Sequence, residues 1–352
     1  MAYFCHRDVG IEALSAAVPQ QVFTNLTDNP HFTREDAEAI VEKTGIYERR
    51  VAPESICASD LCLAAAQQLI EETGIDRSDI DLLIFISQTP DYRMPATSII
   101  LQHRLGLSKS CAAFDVNLGC SGFVIGLNLA FSMVSQEAIR KVLLLNGETR
   151  TRVYSQKDRK TGFLFGDAGS ACLVAKTGTA TTSHFLIDSD GEKSDYIKIK
   201  AGGYRYPSSC DSVREKTYED GSIRTDEQGF MDGNGVFEFV ITEVPQQIKK
   251  LYKCAGCAKE EIDYFVFHQA NKFMNEHLIK KLKLDRDRVP FCLDRYGNTS
   301  SVSIPLTIVS ELHPLLSEPP RKLLISGFGV GLSLASAILD LNQAKTCKLV
   351  EV

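Results

Sequence analysis

The feature that most constrains the fold is a weak internal repeat between the two halves of the 352-residue chain. Four positions in residues 74–85 recur in residues 256–267 at an offset of 182: Gly74, Ile80, Asp81 and Phe85 recur as Gly256, Ile262, Asp263 and Phe267. The apolar run at 141–147 recurs at 322–327 with an offset of 181. Two echoes in the same order at nearly the same offset indicate duplication. The repeat therefore predicts an α/β protein of two similar halves, each with a mixed sheet covered by helices.

The spacing of apolar residues predicts the elements within each half. Residues 82–86 are apolar on both faces, which is typical of a central strand in a covered sheet. The same reasoning predicts strands at 10–19, 112–116, 141–147, 171–174 and 264–267, and helices at 33–43, 59–72, 97–105 and after residue 120, with Ser59 as a helix cap and Gly256 near a helix C-cap. Residues 1–175 then form an N-terminal half and 176–352 a C-terminal half. Their seam, at about 175–230, is expected to hold loops and short strands.

Cys120 is expected at the turn where a buried strand meets the N-terminus of a buried helix. The strand-like run 112–116 precedes it, and apolar residues at helical spacing follow it. Unpaired backbone N–H groups and the helix dipole favour an anion at such a turn, so a thiolate there is nucleophilic near neutral pH. A small buried core cysteine explains this stretch equally well. The rest of the chain has to decide between the two interpretations.

Three further polar stretches stand at the ends of apolar segments. His268 follows the strand at 264–267, where α/β folds often place chemistry, although a structural histidine is the commoner outcome. Residues 296–305 form a polar turn that opens into an apolar helix, which Asn298 or Thr299 could simply cap. The glycine-rich loop 327–331 presents backbone N–H groups, one of which can help to stabilise an oxyanion.

Composition narrows the function classes. The net charge of -6 argues against a nucleic-acid surface, and no apolar run reaches membrane-spanning length. No signal peptide is recognised, so we expect a cytoplasmic protein whose 11 cysteines are mostly buried thiols. The pair Cys254 and Cys257 has the spacing of a zinc knuckle but lacks a second Cys/His pair, so no metal is expected.

Together these stretches resemble the thiolase superfamily and, within it, β-ketoacyl-[acyl-carrier-protein] synthase III. The resemblance spans nearly the whole chain and rests on seven motifs: Met94-Pro95-Ala96, Cys120-Ser121-Gly122-Phe123, Phe165-Gly166-Asp167, Met231-Asp232-Gly233-Asn234, His268-Gln269-Ala270-Asn271, Gly297-Asn298-Thr299-Ser300 and Gly327-Phe328-Gly329. It implies a thiolase-like fold in which two duplicated α/β halves with mixed sheets form α/β/α/β/α layers. Asn298 assigns the chain to the Cys-His-Asn class rather than to the Cys-His-His or Cys-His-Cys classes.

The resemblance implies a decarboxylative Claisen condensation of an acyl thioester with malonyl-acyl-carrier-protein. Cys120, His268 and Asn298 would be the catalytic residues. Cys120 would become acylated, and the backbone N–H groups of Cys120 and Val330 would hold the oxyanion, although Val330 replaces a usual glycine. His268 and Asn298 would donate hydrogen bonds to the malonyl thioester carbonyl while carbon dioxide leaves. No cofactor is implied, since the substrates are acyl-coenzyme A or acyl carrier protein together with malonyl carrier protein.

Other family features are altered. The resemblance matches Arg159 to an arginine that holds the coenzyme A adenine, but the tryptophan that would pair with it is replaced by Ala39. Two interpretations stay open: the donor is an acyl chain on carrier protein, or the nucleotide of coenzyme A is held less tightly. Gly233 and Asn234 are further substrate-binding candidates. Met94 stands where the family has a large residue that reaches into the partner subunit's acyl pocket, which implies a homodimer.

Docking of the acidic acyl carrier protein would use a basic face that contains Lys272 and Lys280. A plain solvated helix face explains these lysines equally well. Phe273 stands where the family usually has an arginine for docking.

Two other functions remain open from sequence. The protein could transfer its acyl group to an alcohol, amine or thiol instead of condensing it. It could also be a non-catalytic partner subunit that shapes a heterodimer's pocket, although such partners usually lose the cysteine or its companions.

Overall fold

The computed structural model describes residues 2–178, 180–313, 321–341 and 344–352. Its strands are β1 (Ala2–Arg7), β2 (Val9–Val18), β3 (Val22–Thr24), β4 (Glu48–Arg50), β5 (Leu82–Ile86), β6 (Ala112–Val116), β7 (Lys141–Thr149), β8 (Asp167–Lys176), β9 (Thr182–Ser189), β10 (Ile197–Lys198), β11 (Lys216–Thr217), β12 (Ile223–Arg224), β13 (Phe230–Met231), β14 (Tyr264–Phe267), β15 (Lys322–Gly329), β16 (Ser333–Asp340), β17 (Lys345–Thr346) and β18 (Val350–Glu351). Its α-helices are α1 (Arg34–Thr44), α2 (Ala58–Thr73), α3 (Thr97–Arg104), α4 (Gly122–Val134), α5 (Gly233–Ala255), α6 (Lys272–Leu282), α7 (Leu293–Tyr296) and α8 (Ser303–Glu311). Single turns of 3-10 helix lie at Arg77–Asp79, Arg150–Arg152, Gly191–Lys193, Lys259–Glu261, Arg286–Arg288 and Ser300–Val302.

The two large sheets repeat one strand order. The first runs β17-β2-β8-β7-β5-β6, with β18 also on β2, and the second runs β1-β9-β16-β15-β14. In the first sheet β5 is parallel to β7, and in the second β14 is parallel to β15, whereas β8 and β16 are antiparallel to their neighbours. Leu82 faces Val142 as Tyr264 faces Leu323, so the two pairings share one register. The duplication predicted from the repeat is therefore confirmed.

Five layers build the molecule, as the resemblance implied. The helices α4 and α8 lie between the two sheets and contact both of them. On the outside, α2 and α3 cover the first sheet and α5 covers the second, with α6 packed on α5. The helix α4 carries no charged residue, and its apolar positions Phe123, Leu127 and Phe131 are buried, as a helix between two sheets requires.

Both chain ends cross the proposed division at residues 175 and 176. The first strand, β1, pairs with β9 in the second sheet, and the last strands, β17 and β18, pair with β2 in the first sheet. The expected seam also contains more regular structure than predicted, because β9 is an eight-residue strand of the second sheet. The short strands that were expected there do occur, as β10 to β13.

Three local predictions need correction. The strand before Cys120 exists as β6, but it is the edge strand of its sheet and is only half-buried. The N-cap of α2 is Cys57, so Ser59 lies inside the helix and does not cap it. Neither Asn298 nor Thr299 caps the apolar helix α8, whose N-cap is Val302. Gly256 does end α5 in a left-handed conformation, as predicted.

Candidate active site

The candidate site lies where the carboxyl ends of parallel strands from both sheets meet. Cys120 follows β6, His268 follows β14, and Val330 follows β15. Strands β5, β6 and β7 run parallel to one another, as do β14 and β15, so the loops after them emerge at common edges. Such edges are where α/β folds bind ligands.

A cavity at this junction is lined by Cys120, His268, Asn298 and Val330 together. It encloses about 500 Å³ of unfilled space, including its opening to solvent. Most of the other lining residues are apolar: Leu164, Phe165, Ile197, Met231, Val236, Val240, Ala270, Met274 and Phe328. A largely apolar cavity with a few convergent polar groups is the usual form of a small-molecule site.

The backbone around Cys120 lets other groups approach its sulfur closely. Cys120 lies two residues before α4, and the Gly122 N–H donates to the Gly119 carbonyl at 2.6 Å. A Cβ atom on Gly329 would lie only 2.7 Å from Cys120 Sγ, and Gly329 has a φ of +152°. Glycine is therefore required at position 329, both for its conformation and for the space.

The Cys120 thiol is acidic although it is buried. Burial alone raises its pKa, but His268, which forms a hydrogen bond to it, then Arg150 and the Val330 N–H lower the pKa to about 6. At neutral pH the sulfur is therefore a thiolate, which is the nucleophilic form. By contrast, burial raises the pKa of the Cys172 thiol far above its ordinary value.

The imidazole of His268 is fixed by Ser303, the first residue of α8. Ser303 Oγ lies 2.7 Å from His268 Nδ1 and accepts a hydrogen bond from the Gln269 N–H at 3.3 Å. A hydroxyl has one proton and two acceptor lone pairs, so Ser303 Oγ can donate to Nδ1 or accept a hydrogen bond from it. In the neutral tautomer that accepts the Ser303 proton at Nδ1, the ring carries its own proton on Nε2 and can donate from that atom.

Asn298 is held by its backbone and by its side-chain oxygen. Its N–H donates to the Leu164 carbonyl at 2.8 Å, and its own carbonyl accepts from the Gly166 N–H at 3.2 Å. Its Oδ1 accepts a hydrogen bond from the Ser300 N–H at 2.9 Å, so the side-chain amide orientation is set. The Nδ2 group makes only a long contact of 3.5 Å to the Ala270 carbonyl, which leaves a donor for a ligand in the cavity.

Sequence reasoning missed a buried charged pair beside Cys120. Glu148 and Arg150 lie at the end of β7 with side chains 0% and 5% exposed, and Glu148 Oε2 is 3.7 Å from Arg150 Nε. Burial raises the pKa of Glu148 to about 7, against the opposing effect of Arg150. Arg150 also donates to Gln88 Oε1 at 2.6 Å and to Ser300 Oγ at 3.3 Å. The signal was available, because Gln88 and Arg150 each follow a strand parallel to β6.

The remaining substrate candidates lie away from the cavity lining. Met94 is 79% exposed, and Asn234 is also exposed. Gly233 opens α5, where Asp232 caps the helix by accepting from the N–H of Asn234. The same chain segment instead contributes Met231, Val236 and Val240 to the lining.

Arg159 is already occupied by protein groups. It forms an ion pair with Asp36 at 2.5 Å, and its guanidinium lies 5.5 Å from the centre of the Phe32 ring. Lys272 is the first residue of α6, directly after the lining residue Asn271, and Lys280 lies about two turns further along the same helix. Both lysines are exposed.

Within residues 2–178, 180–313, 321–341 and 344–352, no group of three or more His, Cys, Asp or Glu side chains could hold a metal ion. A search of the same residues found no helix that is both long enough and apolar enough to span a membrane.

Comparisons with known proteins agree with this geometry. The family model for 3-oxoacyl-[acyl-carrier-protein] synthase III matches residues 114–191, and the model for its C-terminal part matches residues 253–341. A β-ketoacyl-[acyl-carrier-protein] synthase III from Caldanaerobacter subterraneus subsp. tengcongensis is 33% identical over 95% of this chain and 98% of its own length.

Solved structures give the same assignment. A 3-oxoacyl-(acyl-carrier protein) synthase from Burkholderia xenovorans LB400 is 35% identical, with a TM-score of 0.93 over 100% of this chain and 99% of that one. The priming β-ketosynthase of the R1128 polyketide pathway is 26% identical, with a TM-score of 0.80 over 96% and 97% of the two chains. The predicted thiolase-like fold is thus confirmed. The chain belongs to the β-ketoacyl-[acyl-carrier-protein] synthase III family of condensing acyltransferases.

Proposed function

We propose that the condensation runs through an acyl group carried on Cys120, with His268 and Asn298 activating the malonyl thioester. The observation that carries the proposal is the shared cavity of these three side chains, which are far apart in sequence. The reaction has three steps: Cys120 and the oxyanion donors act in the first and third, and His268 and Asn298 act in the second.

In the first step, the Cys120 thiolate attacks the carbonyl carbon of an acyl thioester. The new S–C bond forms as the donor's thiolate leaves, so no net proton is consumed. The pKa of about 6 keeps Cys120 ionised for this attack at neutral pH. The Val330 N–H, which donates to the Cys120 sulfur, and the Cys120 N–H would hold the tetrahedral oxyanion.

In the second step, malonyl carrier protein loses carbon dioxide and leaves an enolate of its thioester. Hydrogen bonds from His268 Nε2 and Asn298 Nδ2 to the thioester oxygen would stabilise the developing negative charge. This step requires the neutral tautomer in which Ser303 donates to Nδ1 and the ring proton stands on Nε2, and the 2.7 Å contact between Ser303 Oγ and Nδ1 fits that tautomer.

In the third step, the enolate carbon attacks the acyl carbonyl on Cys120. A carbon–carbon bond forms, the S–C bond breaks, and the β-ketoacyl group stays on the carrier protein. The Cys120 thiolate is regenerated for the next cycle. The oxyanion of this step occupies the same position as in the first step, so Val330 would serve both.

The proposed partner is acyl carrier protein, docked by the basic start of α6. Lys272 follows Asn271 at the cavity lining, so a carrier bound there could deliver its thioester arm over a short path. For the acyl donor, a carrier-bound thioester is proposed, because Arg159 is paired with Asp36 and Ala39 offers no aromatic ring to sandwich an adenine. Eleven free cysteines fit a reducing compartment, the cytoplasm.

A homodimer is part of the proposal. The strand β6 is an unpaired sheet edge, which favours pairing with a second copy. The exposed Met94 lies on the same side, because Asp115 of β6 accepts hydrogen bonds from the N–H groups of Thr97 and Ser98 at 2.7 and 2.8 Å. Exposed Tyr92 extends this apolar side, so a partner there would cover it.

Acyl transfer to an alcohol, amine or thiol is the main alternative. Such a transfer involves no decarboxylation, so Asn298 would have no malonyl thioester carbonyl to activate. The Asn298 Nδ2 donor, whose orientation is set by the Ser300 N–H, therefore favours condensation. A non-catalytic partner subunit is disfavoured for a related reason: the acidity of the Cys120 thiol has no use in a subunit that only shapes a pocket.

The experiment is to acylate the purified protein, remove excess donor, add malonyl carrier protein and measure released carbon dioxide and the carrier product. Condensation predicts one carbon dioxide and one β-ketoacyl carrier for each acyl group lost. Loss of the acyl group to an added alcohol or amine, without carbon dioxide, would instead establish simple transfer.

A further inference from the structure

The polar groups beside Cys120 suggest which acyl chains the site selects. Of the residues that line the cavity in the described part of the chain, Arg150 is the one that carries a permanent charge. Its side chain is 5% exposed. A buried charge is costly unless it is paired and its donors are hydrogen-bonded.

The Arg150 guanidinium has donors to spare. Its five N–H groups make two hydrogen bonds within the described residues, both from Nη2, to Gln88 Oε1 and Ser300 Oγ. Its Nε, also without a hydrogen-bond partner in that part of the chain, faces Glu148, so the donors left for a ligand are those of Nη1. The ion pair with Glu148 balances its charge, but at 3.7 Å it is beyond hydrogen-bonding distance.

A second polar group faces the same cavity. Tyr154 lines it and is 7% exposed, with its ring stacked on Phe165 at a centroid distance of 4.0 Å. Within the described residues its hydroxyl makes no hydrogen bond, and Arg150 acts electrostatically on it. Buried hydroxyls are normally satisfied, so this one is available to a ligand.

The distances fit an oxygen atom near the thioester end of the acyl chain. Cys120 Sγ lies 4.0 Å from Ser300 Oγ, which lies 3.3 Å from Arg150 Nη2, so the guanidinium is within about 7 Å of the sulfur. An oxygen on the third or fourth carbon of an acyl chain on Cys120 reaches hydrogen-bonding distance of a group that far away, at about 1.5 Å per carbon–carbon bond.

We propose that Arg150 and Tyr154 select acyl groups that carry a neutral oxygen, such as a hydroxyl, on the third or fourth carbon. This rests on the proposed function, since it names the acyl class that Cys120 receives. A carboxylate is the poorer fit, because Glu148 already balances Arg150, and a further negative charge would face the Cys120 thiolate.

The test measures acylation of Cys120 by intact mass, with butyryl, 3-hydroxybutyryl and succinyl groups presented on the same acyl carrier protein. We expect 3-hydroxybutyryl to react at least about tenfold faster than butyryl and also faster than succinyl. The Tyr154→Phe and Arg150→Met variants should each reduce this preference several-fold. The readout is the ratio of rates, because loss of Arg150 also makes the thiolate less stable for every substrate.

Two controls keep the test decisive. The double variant Arg150→Met/Glu148→Gln avoids a buried unpaired carboxylate and should reduce the preference as Arg150→Met does. The matched control Arg152→Met alters an arginine outside the cavity lining, where it binds the Pro53 and Ile56 carbonyls, and should leave the ratio unchanged.

Equal rates for butyryl and 3-hydroxybutyryl in the wild type, or a ratio that the variants do not change, would overturn the proposal while leaving the condensation intact. A preference for succinyl would overturn it as well. If no acyl group reaches Cys120 at all, the proposed function fails, and this selectivity fails with it.

Discussion

Ser303 Oγ lies 2.7 Å from His268 Nδ1 and accepts a hydrogen bond from the Gln269 N–H at 3.3 Å. In the proposed reaction the Ser303 hydroxyl donates to Nδ1, so that Nε2 of the neutral His268 ring carries the proton that would face the thioester. The contact connects the first turn of α8 with the end of β14, so the position of the His268 ring depends on how α8 packs between the two sheets.

Replacing Ser303 by alanine should therefore impair condensation more than acylation. Without the hydroxyl, the neutral imidazole also populates the Nδ1-protonated form, which cannot donate from Nε2. We expect decarboxylation to fall by about tenfold or more, as measured by carbon dioxide release, with acylation by intact mass falling far less. The control is Ser301→Ala, whose buried hydroxyl has no hydrogen-bond partner within the described residues. Equal losses in both variants would contradict the tautomer assignment.

The pH dependence of Cys120 alkylation reports its ionisation. With a pKa of about 6, the rate with iodoacetamide should rise between pH 5 and pH 7 and then level off, since only the thiolate reacts. In His268→Gln the effect of His268 that lowers the thiol pKa is lost while burial remains, so the midpoint should move to higher pH than in the wild type. Cys120→Ala provides the background from exposed cysteines. A wild-type midpoint near 9 would contradict the thiolate account.

Asn298→Ala should separate the two half-reactions. The variant keeps Cys120 and His268, so the acyl adduct should form at nearly the normal rate. Carbon dioxide release should fall by about a hundredfold, the effect typical of losing one oxyanion-type donor. Thr299→Val is the matched control, because the adjacent Thr299 hydroxyl is buried and has no hydrogen-bond partner within the described residues. A variant that loses acylation as severely as decarboxylation would show that the assigned role is wrong.

Gly329→Ala should block the nucleophile. A Cβ atom there would lie 2.7 Å from Cys120 Sγ and would occupy a backbone conformation that side chains rarely adopt. We expect acylation to fall by about a hundredfold or more, since small misplacements at reacting atoms have effects of this size. Gly191→Ala, where no atom lies within 4 Å of the added carbon, serves as the control. Normal acylation in Gly329→Ala would contradict the close packing described for the sulfur.

Reversing charge at the start of α6 tests carrier docking. The double variant Lys272→Glu/Lys280→Glu should weaken acyl carrier protein binding by about tenfold at low salt, because like charges then face each other. Lys249→Glu, an exposed position in the later turns of α5, is the matched control. Affinity that is unchanged in the double variant would place the docking surface elsewhere.

Much of the fold followed from the sequence because its signals were local. The all-apolar run of β5 and the helical spacing after Cys120 each have one physical solution in a layered α/β protein. The exchange of terminal strands between the two sheets could not be predicted from the sequence, because β1 pairs with β9 through residues that are some 180 positions apart in the chain. The partial exposure of β6 could not be predicted from its sequence, because an edge strand and a central strand can have the same apolar composition.

The candidate site, too, could be predicted only in part from the sequence. Motif order identified Cys120, His268 and Asn298, but the residues that tune them were missed. Ser303 and Arg150 act through hydrogen bonds and burial, which depend on how α8 and β7 approach the cavity. For Arg159, motif position predicted a role in substrate binding, but its ion pair with Asp36 was not evident from spacing alone.

The most direct measurement of the central claim is peptide mapping of the acylated protein before and after malonyl carrier protein is added. The account predicts a single acyl group on the peptide that contains Cys120, its disappearance with one equivalent of carbon dioxide, and no adduct in Cys120→Ala. An acyl group on another residue, or an adduct that survives in Cys120→Ala, would contradict the account.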